Sequence, residues 1–162
     1  MKKRIEVHNQ EEFDACIHDG NIAVVINCSV KAYGSSSVEA YGSSSVEAYE
    51  NSSVTAYENS SVTSYENSSV TAYGSSSVTA YENSSVTAFG NRFVTAYENS
   101  SVTAFGNSSV TAYDNSSVEA CDNVFIRFFS CLKISASESV VILKHYPSDN
   151  IEGGRQLNAF KY

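Results

Sequence analysis

A valine or isoleucine falls at every eighth position from residue 22 to residue 142 without a break. No other feature constrains the fold so tightly, because a fixed short period means one structural unit stacked on copies of itself. The consensus unit is Asn-Ser-Ser-Val-Thr-Ala-Tyr-Glu. Such a unit is too short for a helical repeat and suits one strand plus one tight turn. Val, Thr and Tyr favour extended backbone, whereas Asn, Gly and Ser supply turn chemistry.

Strand parity assigns the faces. Lys31, Glu39, Glu47, Glu119 and Arg127 stand at the threonine position, and a charge there must reach water. Valine and alanine therefore point inward, and serine, threonine and tyrosine point outward. The same parity carries on in Val124, Ile126 and Phe128 as inward residues, with Arg127 outward. The residue after the aromatic position separates two kinds of unit. Positions 50, 66, 82, 98 and 114 are acidic, whereas 42, 74, 90 and 106 are glycine, with Glu58 and Asp122 breaking the second series. Phe89 and Phe105 replace tyrosine only in the glycine class. Alternate units differ, so two of them make one coil.

The fold class expected is all-β: a two-sheet β-solenoid (β-helix) of about 16 residues per coil around a narrow Val/Ala core. Residues 22–142 would give roughly 7–8 coils, about 36 Å long at the usual strand spacing. Three segments follow: an N-terminal cap with a short helix over 1–21, the octapeptide solenoid over 22–122, and C-terminal coils, cap and tail over 123–162. Asn9 and Glu12 have the spacing of a capping box, Phe13, Cys16 and Ile17 form an apolar helical stripe, and Gly20 ends the helix. Phe125, Phe128 and Phe129 lie where bulkier residues thicken the C-terminal cap. They are a candidate dimer or cap surface, through which a homodimer would form.

Function classes narrow by composition. The formal charge is −8, which disfavours direct nucleic-acid binding and adhesion to anionic membranes. No apolar run approaches the roughly 18 residues of a membrane span. Met1-Lys2-Lys3-Arg4 is followed by acidic residues where a secretory signal would be apolar, so a cytoplasmic location is expected. On that footing Cys16, Cys28, Cys121 and Cys131 read as reduced thiols, and the recurrent Asn-x-Ser tripeptides as turns. The histidines His8, His18 and His145 lie outside the repeat, and no metal-ligand spacing occurs. The serines have no recurrent basic partner. No enzyme activity, metal or cofactor is expected.

Surface candidates remain. Glu50, Glu66, Glu82, Glu98 and Asp114 would stack as an acidic interaction edge, despite mutual repulsion. Arg92 and Phe93 interrupt the Ser-Ser positions once and form a candidate contact anchor, since both types are common at interfaces. The tyrosines at 33, 49, 65, 81, 97 and 113 would form one row. Residues 34–122 hold ten acids and one base. Over about 27 Å of stack, that is one net charge per ~3 Å, near a nucleic-acid single strand (~3.4 Å) and sparser than a duplex (~1.7 Å).

The unit Ala-Tyr-Gly-Ser-Ser-Ser-Val-Glu at 32–39 and 40–47 resembles the octapeptide-repeat (AYGSSSV-type) β-solenoid proteins of bacteria and phages. The resemblance covers about three quarters of the chain. It implies a solenoid fold and a microbial or phage source, and it implies no particular activity. The function expected is a non-enzymatic protein-interaction solenoid with a protein partner. In its most specific form it is a phage-encoded inhibitor of a host nucleic-acid-binding defence complex, acting through the acidic edge or the Thr/Tyr face. The alternatives are a self-assembling structural spacer and an ice-binding solenoid with Ser-x-Thr columns.

Overall fold

The computed structural model describes residues 2–90, 92–129, 131–144 and 151–158. It is a parallel β-solenoid of about nine turns with roughly 16 residues per coil and one short helix near the N-terminus. The order is β1 (Arg4–Val7), α1 (Gln10–His18), β2 (Ile22–Ile26), β3 (Ser29–Ala32), β4 (Ser37–Tyr41), β5 (Ser45–Ala48), β6 (Ser53–Ala56), β7 (Ser61–Ser64) and β8 (Ser69–Ala72). It continues with β9 (Ser77–Ala80), β10 (Ser85–Phe89), β11 (Phe93–Ala96), β12 (Ser101–Phe105), β13 (Ser109–Ala112), β14 (Ser116–Ala120), β15 (Phe125–Phe128), β16 (Cys131–Lys144) and β17 (Ile151–Asn158). Even-numbered strands from β2 to β14 stack into one sheet and odd-numbered strands from β3 to β15 into the other. β1 extends the first sheet, and β16 and β17 each run across both.

Register explains the repeat. Val54 lies beside Val38 and Val70, and Ala56 beside Ala40 and Ala72. Both columns are buried along the repeat, and each buried valine is worth about 1.5–3 kcal/mol. Towards the C-terminus the same columns are filled by Ile126, Phe128, Ile134 and Ile142. Phe128 is therefore a core residue, 1 % exposed. This corrects its assignment to a dimer or cap surface and agrees with its inward parity.

The period breaks at its start. Ala23, not Ile22, lies beside Val38, and Val25 lies beside Ala40. Ile22 is thus outside the core column, one residue out of phase with the valines that follow. Asn27, with φ 52°, turns the chain in the first short coil. β1 also adds a strand that the cap expectation lacked, with Ile5 beside Ala23 and Val7 beside Val25.

α1 forms as its ends dictate. The Asn9 side chain accepts from the Glu12 N–H at 3.0 Å, and Glu12 Oε2 accepts from the His8 N–H at 2.9 Å. Phe13 and Cys16 bury the inner face against β1, β2 and β3.

Candidate functional site

The two edges of the solenoid are built from different turns. On the edge that follows the odd-numbered strands, two successive residues take left-handed backbone: Glu66 (φ 50°) with Asn67 (63°), and Glu82 (51°) with Asn83 (64°). Asn suits that conformation, whereas a longer side chain held there costs about 1–2 kcal/mol. Each Asn N–H donates to the acid's carbonyl in the next coil, as Asn67 does to Glu82 at 3.1 Å and Asn83 to Glu98 at 3.0 Å. The turns therefore stack as a backbone ladder. Glu50, Glu66, Glu82, Glu98 and Asp114 all lie exposed on this edge, one per coil. Among the described residues, no hydrogen bond or ion pair engages these five carboxylates.

On the opposite edge only the residue after the aromatic is left-handed, and glycine usually holds that place. At Gly74 (φ 76°) an added Cβ would lie 2.6 Å from the Glu58 backbone nitrogen, so the close approach of coils itself excludes a side chain. The two acids that interrupt this series are used internally. Glu58 Oε2 accepts from the Gly42 N–H at 2.8 Å, and Asp122 Oδ2 from the Gly106 N–H at 3.3 Å.

An aromatic ladder runs along each edge. Tyr33, Tyr49, Tyr65, Tyr81, Tyr97, Tyr113 and Phe129 stack beside the acidic row, with centroids 4.7–5.0 Å apart. Tyr41, Tyr57, Tyr73, Phe89 and Phe105 stack on the other edge at 4.6–5.4 Å. Phe129 thus continues the ring ladder beyond Tyr113 and is half-buried. Desolvation raises the Tyr65 and Tyr97 phenols above their ordinary pKa, with neighbouring phenols adding to it.

Two of the acids are neutralised by the N-terminal coils. Glu39 pairs with Arg4 and accepts from the Tyr41 hydroxyl at 3.1 Å. Glu47 pairs with Lys31 at 3.1 Å and accepts from the Tyr49 hydroxyl at 2.8 Å. With Glu58 and Asp122 occupied on the far edge, the repeat's charge is spread around the coil. The exposed row itself carries one charge per coil, about 4.8 Å apart. That is sparser than the single-strand spacing of ~3.4 Å, because a linear charge count ignores where on the coil each acid falls.

The Arg92–Phe93 pair separates. Arg92 takes the place of an inward serine and is 2 % exposed. Its guanidinium lies beneath the turn, with Nη2 3.7 Å from where a Cβ on Gly90 would project, and burial lowers its pKa. The Arg92 side chain is thus enclosed rather than displayed beside Phe93 on the outer face, where the sequence reading set the pair together. Phe93 lies on the outer face of the second sheet, 70 % exposed, after a run of serines at 45, 61 and 77 in the same column. Ser109 and then half-buried Phe125 follow it in that column. Two aromatics from separate candidate groups are thus brought to one face, two strands apart.

Sequence reasoning missed the buried serines. The first serine of each unit shares the parity of valine and alanine, and Ser52, Ser60, Ser68, Ser76, Ser84 and Ser100 are buried. Among the described residues, no group of three or more His, Cys, Asp or Glu side chains is placed to hold a metal. None of the described helices is long and apolar enough to cross a membrane. The chain matches no protein-family model, no curated protein and no solved structure.

Proposed function

We propose that this protein is a non-enzymatic interaction solenoid whose acidic edge engages a basic protein partner. One observation carries the reading. Five successive coils place an acid at a left-handed position that glycine would fill without strain, and they stack those like charges in one row. The acids of the opposite edge cap backbone amides, whereas these five carboxylates face solvent. Strain kept in register without an internal partner marks a surface in use. Phe93 adds an exposed aromatic at the start of β11, about 10 Å of strand at ~3.3 Å per residue before the turn that carries Glu98. A partner would offer a basic strip and an apolar recess at that separation.

The narrower form is an inhibitor, encoded by a phage, of a host nucleic-acid-binding defence complex. A row spaced at ~4.8 Å attracts the basic surface of such a complex without copying the phosphate spacing. The alternatives find less support. The Ser-x-Thr columns of an ice-binding face are flanked by ring ladders and, on one side, interrupted by Phe93. Open end-to-end assembly meets α1 across the N-terminal end.

Affinity capture from bacterial lysate tests the proposal, with the intact protein beside a variant carrying Glu66→Gln, Glu82→Gln and Glu98→Gln. The expected result is a basic protein retained by the intact chain, released by salt and lost with the variant. Equal retention by both, or none by either while both remain folded, would overturn it.

A further inference from the structure

The ends of the solenoid are finished differently. At the N-terminal end α1 packs on β1, β2 and β3, and the end strand β1 is only four residues long and carries Arg4 and Glu6. Short charged edges resist pairing. At the C-terminal end β17 is eight residues long and follows both sheets. Residues 151–153 pair with 134–136, and 155–158 with 141–144. The chain turns the corner at Gly153 and Gly154, both at positive φ. A Cβ on Gly153 would lie 1.9 Å from the Ala136 carbonyl oxygen, so only glycine follows β16 this closely. Among the described residues, no strand pairs with the far edge of β17.

We propose that this edge is a tail-to-tail homodimer interface, in which β17 pairs antiparallel with the β17 of a second copy. The charges along it select both the occupant and the register. Glu152 continues the outward column of Glu119 and Ser135 on the first sheet, and Arg155 continues that of Phe125 and Val141 on the second. Both are exposed. A two-fold axis perpendicular to the solenoid axis, through the corner at Gly153 and Gly154, sets the first sheet of one copy on the second sheet of the other. Antiparallel pairing about that axis places Glu152 opposite Arg155 of the second copy, and Arg155 opposite its Glu152. Directly opposed residues share a face, so two ion pairs form from one pair of residues.

The inward columns of the two copies align in the same register. Ile151, in the column of Ile134, meets Gln156 of the second copy, which lies in the column of Ile142. A slip of one residue either way would set Glu152 against Gly154 or Gln156 and lose both ion pairs. The contact is isologous, so it closes at two copies and cannot propagate as a filament. This inference is independent of the acidic row, whose residues lie on other coils.

Sedimentation velocity of the full chain tests it with Glu152→Arg, Arg155→Glu and the double variant. The intact protein should sediment as a dimer, at twice its 17.5 kDa mass. Each single reversal sets like charges opposite each other and should give a monomer with an unchanged β-rich spectrum. The double reversal restores opposite charges and should recover the dimer. A monomeric intact protein, a dimer indifferent to the single reversals, or a double variant that stays monomeric would each overturn the proposal.

Discussion

The hydroxyl of Ser52 donates to the carbonyl of Tyr49 at 2.6 Å, across the turn that joins two strands. The same hydroxyl lies 2.9 Å from the Gly34 carbonyl of the preceding coil. Its neighbour Ser53 faces water. Two adjacent serines therefore do different work: the first closes the turn from inside the core and the second covers the outer face. Ser60, Ser76, Ser84 and Ser100 repeat the bond at 2.5–2.7 Å.

Removing one inward hydroxyl deprives a buried carbonyl of one of its donors. The Tyr81 carbonyl still accepts from the Ser84 N–H at 3.1 Å, so Ser84→Ala should cost about 1 kcal/mol. Ser85→Ala, on the outer face, should stay within about 0.5 kcal/mol of the intact protein. Urea unfolding followed by circular dichroism compares the two. Equal losses would remove the distinction between the serines.

The Val/Ala columns, the alternation of turn classes and the capped helix were legible because each rests on a period or a local spacing. The inward serine was not. Parity placed Ser52 with Val54, but polarity argued for water, and only the turn geometry reveals a carbonyl within reach. Arg92 was misread for the same reason, since it replaces that hidden serine. Ile22 satisfied the arithmetic of the repeat yet fell out of phase, because the first coil is one residue short. β17 was invisible as a strand because its glycines, which let it turn a corner, read as a loose tail. The acidic edge was legible as a row, but its left-handed backbone was not, because glutamate is not a residue that signals positive φ.

Stacked like charges should weaken the edge. Neighbouring acids of the row, about 4.8 Å apart, repel by roughly 0.9 kcal/mol in water. Glu82→Gln removes two such contacts and keeps the backbone turn. It should stabilise the protein by up to about 1.8 kcal/mol at low ionic strength, with the gain shrinking as salt is added. Thermal unfolding across a salt series measures this, and a salt-independent gain would point to a cause other than repulsion.

The Glu47–Tyr49 contact makes stability depend on pH at both ends. The Tyr49 hydroxyl and Lys31 hold the Glu47 carboxyl below its ordinary value. Its contribution is present above that value and is lost as pH falls through the lower, folded one. The hydrogen bond to Glu47, with burial second, pushes Tyr49 up to about 12. Its contribution is complete below the ordinary phenol value of 10.0 and is lost as pH rises towards about 12. Tyr49→Phe retains a ring to stack between Tyr33 and Tyr65 and removes the hydroxyl. The variant should lose less stability across that alkaline window than the intact protein does. Residual slope should persist, because Tyr41, Tyr65 and Tyr97 are raised as well. An identical alkaline slope in both proteins would argue against the contact.

Arg92 is the one place where a charge enters the serine column, and burial holds its pKa down. A buried cation costs more to desolvate than its local contacts return in many proteins. Arg92→Ser restores the residue found at Ser84 and Ser100, one coil-half to either side, with a hydroxyl placed to donate to the Phe89 carbonyl. That bond alone is worth about 1 kcal/mol. The substitution should therefore raise the midpoint of urea unfolding and leave partner capture by the acidic edge intact. Phe93→Ser should do the opposite, with little change in stability and weakened capture. If Arg92→Ser instead abolishes capture while the fold persists, the turn beneath Gly90 belongs to the recognition surface, and the division of labour between these two adjacent residues fails.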